Sequence, residues 1–196
     1  MNGCCVYANP GVTDNAQINR RSRPMRFRPF FRPSSVALAS AGFLVATAVL
    51  AAGGTAKGSL TYKAKSGPIT IAPKFAYLVK GPDAVDAGKT IRKLIFSTAD
   101  LGAKIDACKT MNCTDADLGE GMTVDFDAGP RLNYWVVLNG QRVQYSGTEP
   151  PAALKLATDT PQRLAGTLAF DGGAAGGPQV AIEFDTPLVK EVTKAR

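Results

Sequence analysis

The 196-residue chain contains no histidine, a single tryptophan and four cysteines, and no apolar run long enough to cross a membrane comfortably. Without histidine there is no Ser-His or Cys-His nucleophile, no ordinary general base near neutral pH, and most zinc or copper sites are removed. Hydrolysis by two carboxylates stays open. GxSxG, HExxH, Walker and dinucleotide fingerprints are all missing, so no cofactor is expected. The glycine cluster at 172–177 (GGAAGG) lacks the lysine and helix that a phosphate cradle needs, and reads as a hairpin tip.

Clustered charge is missing as well. The net charge of +7 resides mostly in six arginines (20, 21, 23, 26, 28 and 32) that precede residue 57. The remaining chain holds 17 basic and 15 acidic residues with no run of one sign. That excludes a basic stripe for phosphate neutralisation, and nucleic acid is not an expected partner.

What is present at the start is a leader. Arg26, Arg28 and Arg32 precede the apolar stretch 36–50 (VALASAGFLVATAVL), and small residues follow from Ala51 to Ala56. This is the three-part pattern of a secretory signal, spanning 25–56, with Met25 as the start and 1–24 as a polar, turn-rich extension. Cleavage fits after Ala48, Gly54 or Ala56, and the neighbourhood of 54–56 is favoured because strand-like residues begin just after it. An uncleaved anchor is the competing reading, but Ser40 and Gly42 interrupt an already short stretch. No membrane span is expected after cleavage, and the Ala-rich leader points to a bacterial periplasm or the extracellular medium.

Residues 57–196 hold Cys108 and Cys113, an even pair at short separation, which in an oxidising compartment reads as a disulfide. Apolar residues recur with period two between Gly, Pro, Asn and Asp, predicting an all-β domain: a single β-sandwich or partly open barrel of about eight strands. Strands are expected at 57–64, 68–80 with a break at Pro73, 90–98, 122–126 and 179–189, with 190–196 fraying. Only 100–108 changes period, with Leu101, Ile105 and Cys108 on one face of a short helix capped by Thr98 or Asp100. The stretches Gly58-Ser-Leu-Thr-Tyr to Gly67-Pro-Ile-Thr-Ile and Gly166-Thr-Leu-Ala-Phe to Gly177-Pro-Gln-Val-Ala-Ile each look like a hairpin with a loose polar tip, by duplication or convergence.

Asn139-Gly140 between two alternating runs predicts a type I′ hairpin, pairing Leu138 with Gln141 and Trp135 with Gln144. Tyr134, Val136, Val143 and Tyr145 then face the core. Trp135 falls on the opposite face with Arg131, Asn133, Val137, Arg142 and Gln144, an aromatic, basic and amide surface suited to stacking and hydrogen bonding. Trp135, Arg131, Asn133, Arg142 and Gln144 are the candidate ligand-binding residues. The plainer alternative has residues 150–157 covering Trp135 as ordinary packing.

The acidic stretch Asp115, Asp117, Glu120, Asp125, Asp127 fails the EF-hand spacing, since Glu120 falls where Gly is needed and Phe126 where a bidentate Glu is needed. It reads as a solvated loop, and no metal site is assigned. The leading expectation is an exported non-catalytic binding or envelope-associated module whose partner is a small molecule or an envelope protein, using the Trp135 face or the loops near Gly81-Pro82 and 147–151. The alternative is a histidine-independent hydrolase or lyase working through carboxylates such as Asp125 and Asp127. Replacing Trp135 and Arg142 by Ala, against Asp125→Asn, is expected to separate the two.

Overall fold

A computed structural model describes residues 53–140 and 143–196 of the protein. The leader before residue 53 and the candidate residue Arg142 lie outside the described residues. Ten strands form one sheet: β1 (Gly54–Ala64), β2 (Gly67–Ile71), β3 (Phe75–Pro82), β4 (Thr90–Ser97), β5 (Gly121–Phe126), β6 (Leu132–Val137), β7 (Tyr145–Glu149), β8 (Leu154–Thr160), β9 (Arg163–Asp171) and β10 (Gln179–Glu191). Their order is β7-β6-β5-β4-β3-β1-β10-β9-β8, with β2 added beside β1. Every pairing is antiparallel except that of β10 with β3.

Alternation explains both why these segments are strands and how the sheet curls. Leu94 and Phe96 of β4, Met122 and Val124 of β5 and Tyr134 and Val136 of β6 share a core with Leu60 of β1, Leu168 of β9 and Val180, Ile182 and Phe184 of β10. Side chains at period two bury one face of a sheet, so the two halves must fold onto each other to cover it. Phe96 meets Phe184 edge-on at 5.4 Å, and Tyr134 lies 4.9 Å from Phe170. The protein is an all-β sandwich or open barrel with one short helix and one disulfide.

The bend sits at β3. One edge of this strand pairs with β4, and the other is shared by the start of β1 and the end of β10. β10 leaves β1 near Thr186, which is fully buried and donates its hydroxyl to the Ala76 carbonyl at 3.0 Å. Gly54 enters the same corner, where a Cβ would lie 2.0 Å from the Asp185 carbonyl oxygen.

A second core lies on the outer face of β3 and β4. Tyr77, Val79, Ile91 and Ile95 are covered there by Leu101, Ile105, Met111 and Leu118 from the 98–120 connection. Its helix α1 (Gly102–Ala107) buries the expected Leu101, Ile105 and Cys108 face, and Asp100 accepts the Gly102 N–H at 2.8 Å. The buried Tyr77 hydroxyl donates to Asp100 and accepts the Leu101 N–H, each at 2.7 Å, and burial followed by the Asp100 bond pushes its pKa up to about 12. Cys108 and Cys113 are joined by the disulfide.

Four expectations change. The fold has ten strands where about eight were expected; β8 alternates in burial but holds only two large apolar residues, Leu154 and Leu156, to mark it. The 150–157 segment pairs with β9 through β8 and leaves Trp135 uncovered by it. The hairpin register is displaced by two residues, with Val136 opposite Tyr145 and Trp135 opposite Ser146. Asn139 and Gly140 do take left-handed φ values of 55° and 66°, but the Gly140 N–H donates to the Gly119 carbonyl, the Gln144 N–H donates to the Val136 carbonyl, and Val143 is 51% exposed. Finally, 190–196 does not simply fray: Val192 is buried, and the carbonyls of Lys194 and Ala195 accept the N–H groups of Met111 and Asn112.

Candidate functional site

The outer face of β4, β5 and β6 floors a cleft of about 580 Å³. Antiparallel register sets its floor in two rows. Lys93, Asp125 and Asn133 lie opposite one another across the three strands, and the next row is Ile95, Thr123 and Trp135. Residues 112–118 wall one side, Asp83, Ala84 and Val85 another, and Gly140 and Val143 the hairpin end. Val85 and Val143, the two large hydrophobic side chains that are exposed among the described residues, both stand on this cleft.

The floor carries an unusual charge. Lys93 occupies a position of β4 where the flanking Ile91 and Ile95 are core residues, and it is itself 7% exposed. A lysine this buried needs partners, and its ammonium is 2.8 Å from Asp115 and 3.9 Å from Asp125. Asp125 is also largely buried, and its Oδ1 has no hydrogen-bond partner. Burial pushes its pKa up to about 6; Lys93 opposes the shift, and Asp115 and Asp83 add to it. Asp83 stands at the mouth, where its carboxylate accepts the Val85 N–H at 3.0 Å.

Trp135 and Asn133 line the cleft, with Trp135 half-buried. Arg131 does not line it: its guanidinium donates to the Thr148 hydroxyl and carbonyl at 2.8 and 3.0 Å on β7. Gln144 also lies away from the lining, next to β7, with its N–H on the Val136 carbonyl. Lys93, Asp115, Asp83 and Thr123 are the lining residues that the hairpin-based reading did not reach. One signal was visible in the sequence, a lysine alternating with isoleucines in 90–98.

Asp125 and Asp127 part company. Asp127 lies past the end of β5 at φ 72° and turns to the other side of the sheet, where Arg92 donates to it at 2.6 Å and also pairs with Asp159 of β8. Arg92 sits 4.6 Å over the Phe126 ring, so the cluster ties the two halves of the sheet together. The acidic stretch is thus distributed among separate cations, Asp117 with Lys104, Asp115 with Lys93 and Asp127 with Arg92. Among the described residues no group of three or more acidic or cysteine side chains is arranged to hold a metal ion.

No family model, curated protein or solved structure matches this chain.

Proposed function

We propose that the protein is an exported binding module that holds a small ligand in the cleft on β4, β5 and β6, in a bacterial periplasm or outside the cell. One observation carries the reading: the chain's single tryptophan and the two large aliphatics exposed among the described residues, Val85 and Val143, converge on one concavity with a charged floor. Such a site offers an aromatic face and an apolar rim for affinity, and Asn133, Thr123 and the carboxylates for orientation. The leader pattern and the disulfide between Cys108 and Cys113 support export. Among the described residues no helix is long and apolar enough to cross a membrane.

Native mass spectrometry of the protein isolated from its own cell envelope tests this. A retained small molecule that is lost in Trp135→Ala is the expected result, and a ligand-free wild type would count against it. Because Asp125 lines the same cleft, Asp125→Asn no longer separates binding from catalysis by retention alone. The second reading, hydrolysis or elimination through carboxylates, draws on the raised pKa of Asp125 in a cleft. It predicts that Asp125→Asn retains the ligand and converts none of it.

A further inference from the structure

We propose that the ligand of this cleft is a small organic cation, an ammonium or guanidinium group carried on an apolar stem. The inference rests on the cleft being the binding site and adds the chemical class.

The described lining residues include three carboxylates, Asp83, Asp115 and Asp125, against one ammonium, that of Lys93. Lys93 is committed inward. With its side chain 8% exposed and its nitrogen at 2.8 Å from Asp115, it is not presented to an incoming anion. Asp83, held at the mouth by the Val85 N–H, has no cation partner among the described residues. A carboxylate or phosphate ligand would enter against this excess of negative charge, whereas a cation lowers it. The indole of Trp135 adds a π face that attracts a cation in a partly desolvated site. Val85 and Val143 on the rim offer aliphatic contact to a stem, which a bare inorganic cation would not use. A neutral sugar would use Trp135 and Asn133 and gain little from Asp83, which separates it from a cation by experiment.

The single tryptophan makes the cleft its own reporter. Trp135 fluorescence of the purified protein is titrated with three probes of similar size, isoamylamine, isoamyl alcohol and isovalerate, and with glucose, with calorimetry as the second readout. Isoamylamine is expected to saturate at least about tenfold more tightly than the alcohol, which corresponds to one favourable charge interaction. Isovalerate is expected to leave the signal unchanged, and Asp83→Asn, at an exposed loop, to weaken amine binding about fivefold or more. Tighter binding of glucose, the alcohol or isovalerate than of the amine overturns the cation while keeping the cleft as a binding site. No saturable change with any of the four up to about 10 mM, in fluorescence or heat, overturns both readings.

Discussion

Asp125 shows how one residue connects the cleft to the stability of the whole domain. In an unfolded chain its carboxyl titrates near the ordinary value of about 4, and in the folded protein it holds its proton up to about 6. Between those values the folded state binds more protons, so this group's contribution to stability falls as pH rises through the window and stays low above it. The groups that face it are Lys93 on β4, which limits the shift, and Asp115 and Asp83 from two connections, which enlarge it. Asn at 125 has no charge to desolvate at any pH. Asp125→Asn is therefore expected to match wild type near pH 4 and to be more stable by about 2 kcal/mol above pH 6.5. The comparison is one of melting temperatures at constant ionic strength; a difference that is flat with pH, or that shrinks as pH rises, would show that Asp125 is not held against its burial.

At the scale of elements, the 98–120 connection has two tasks, covering the outer core with Leu101, Ile105, Met111 and Leu118 and walling the cleft with Asp115, Ala116 and Leu118. The disulfide closes only a short loop inside it, which on the chain-entropy argument contributes about 2 kcal/mol. Reduction, or replacement of Cys108 and Cys113 by Ser, is expected to speed amide exchange in 102–120 while the ladders of β9 and β10 keep their protection. Equal acceleration in both regions would make the bond a determinant of the entire fold. Most of the strands were readable because one face of each is buried and the side-chain period is fixed at two. The hairpin shows where such reading stops. Asn139 and Gly140 take the conformation their chemistry favours, yet the Gly119 carbonyl captures the Gly140 N–H, and a contact across 21 residues leaves no trace in the local pattern. The slip is by two residues, so Tyr134, Val136 and Tyr145 stay on the inner face while Val143 moves from core to cleft rim. β8 keeps the alternation, with Leu154 and Leu156 half-buried against the core, but its polar end Thr158-Asp159-Thr160 leaves too few apolar positions for the period to be read.

For the molecule as a whole, the legible part of the site was its strand-borne half. Trp135 and Asn133 fall on one face of β6 by parity alone, whereas Lys93 and Asp125 join them only through the β4-β5-β6 register, and Asp83 and Asp115 only through loops that fold over it. The same long-range register bears on how the chain would be processed on export. The sequence favours cleavage near 54–56, where small residues meet the first strand-like ones. In the folded domain, however, Gly54 pairs with Ala76, Thr55 with both Phe75 and Asp185, and Ala56 is 5% exposed with its N–H on the Lys74 carbonyl. Gly53 is packed so closely that a Cβ would lie 2.2 Å from the Tyr77 ring. On the export reading proposed above, signal removal would precede folding, so burial would not protect these bonds; a product that keeps the corner between β3 and β10 filled retains residues 53–56. Ala46 and Ala48 satisfy the small-x-small requirement and leave four residues before Gly53. The mature chain is accordingly expected to begin at residue 49. A chain begun at 57 is expected to be less stable by roughly 2 kcal/mol, for two or so lost backbone hydrogen bonds. Intact mass of the protein isolated from its own cells reads the first expectation, and urea unfolding of the two chain lengths reads the second. A mature terminus at 55 or 57 together with undiminished stability would place the functional start of the domain inside β1 and refute the corner argument.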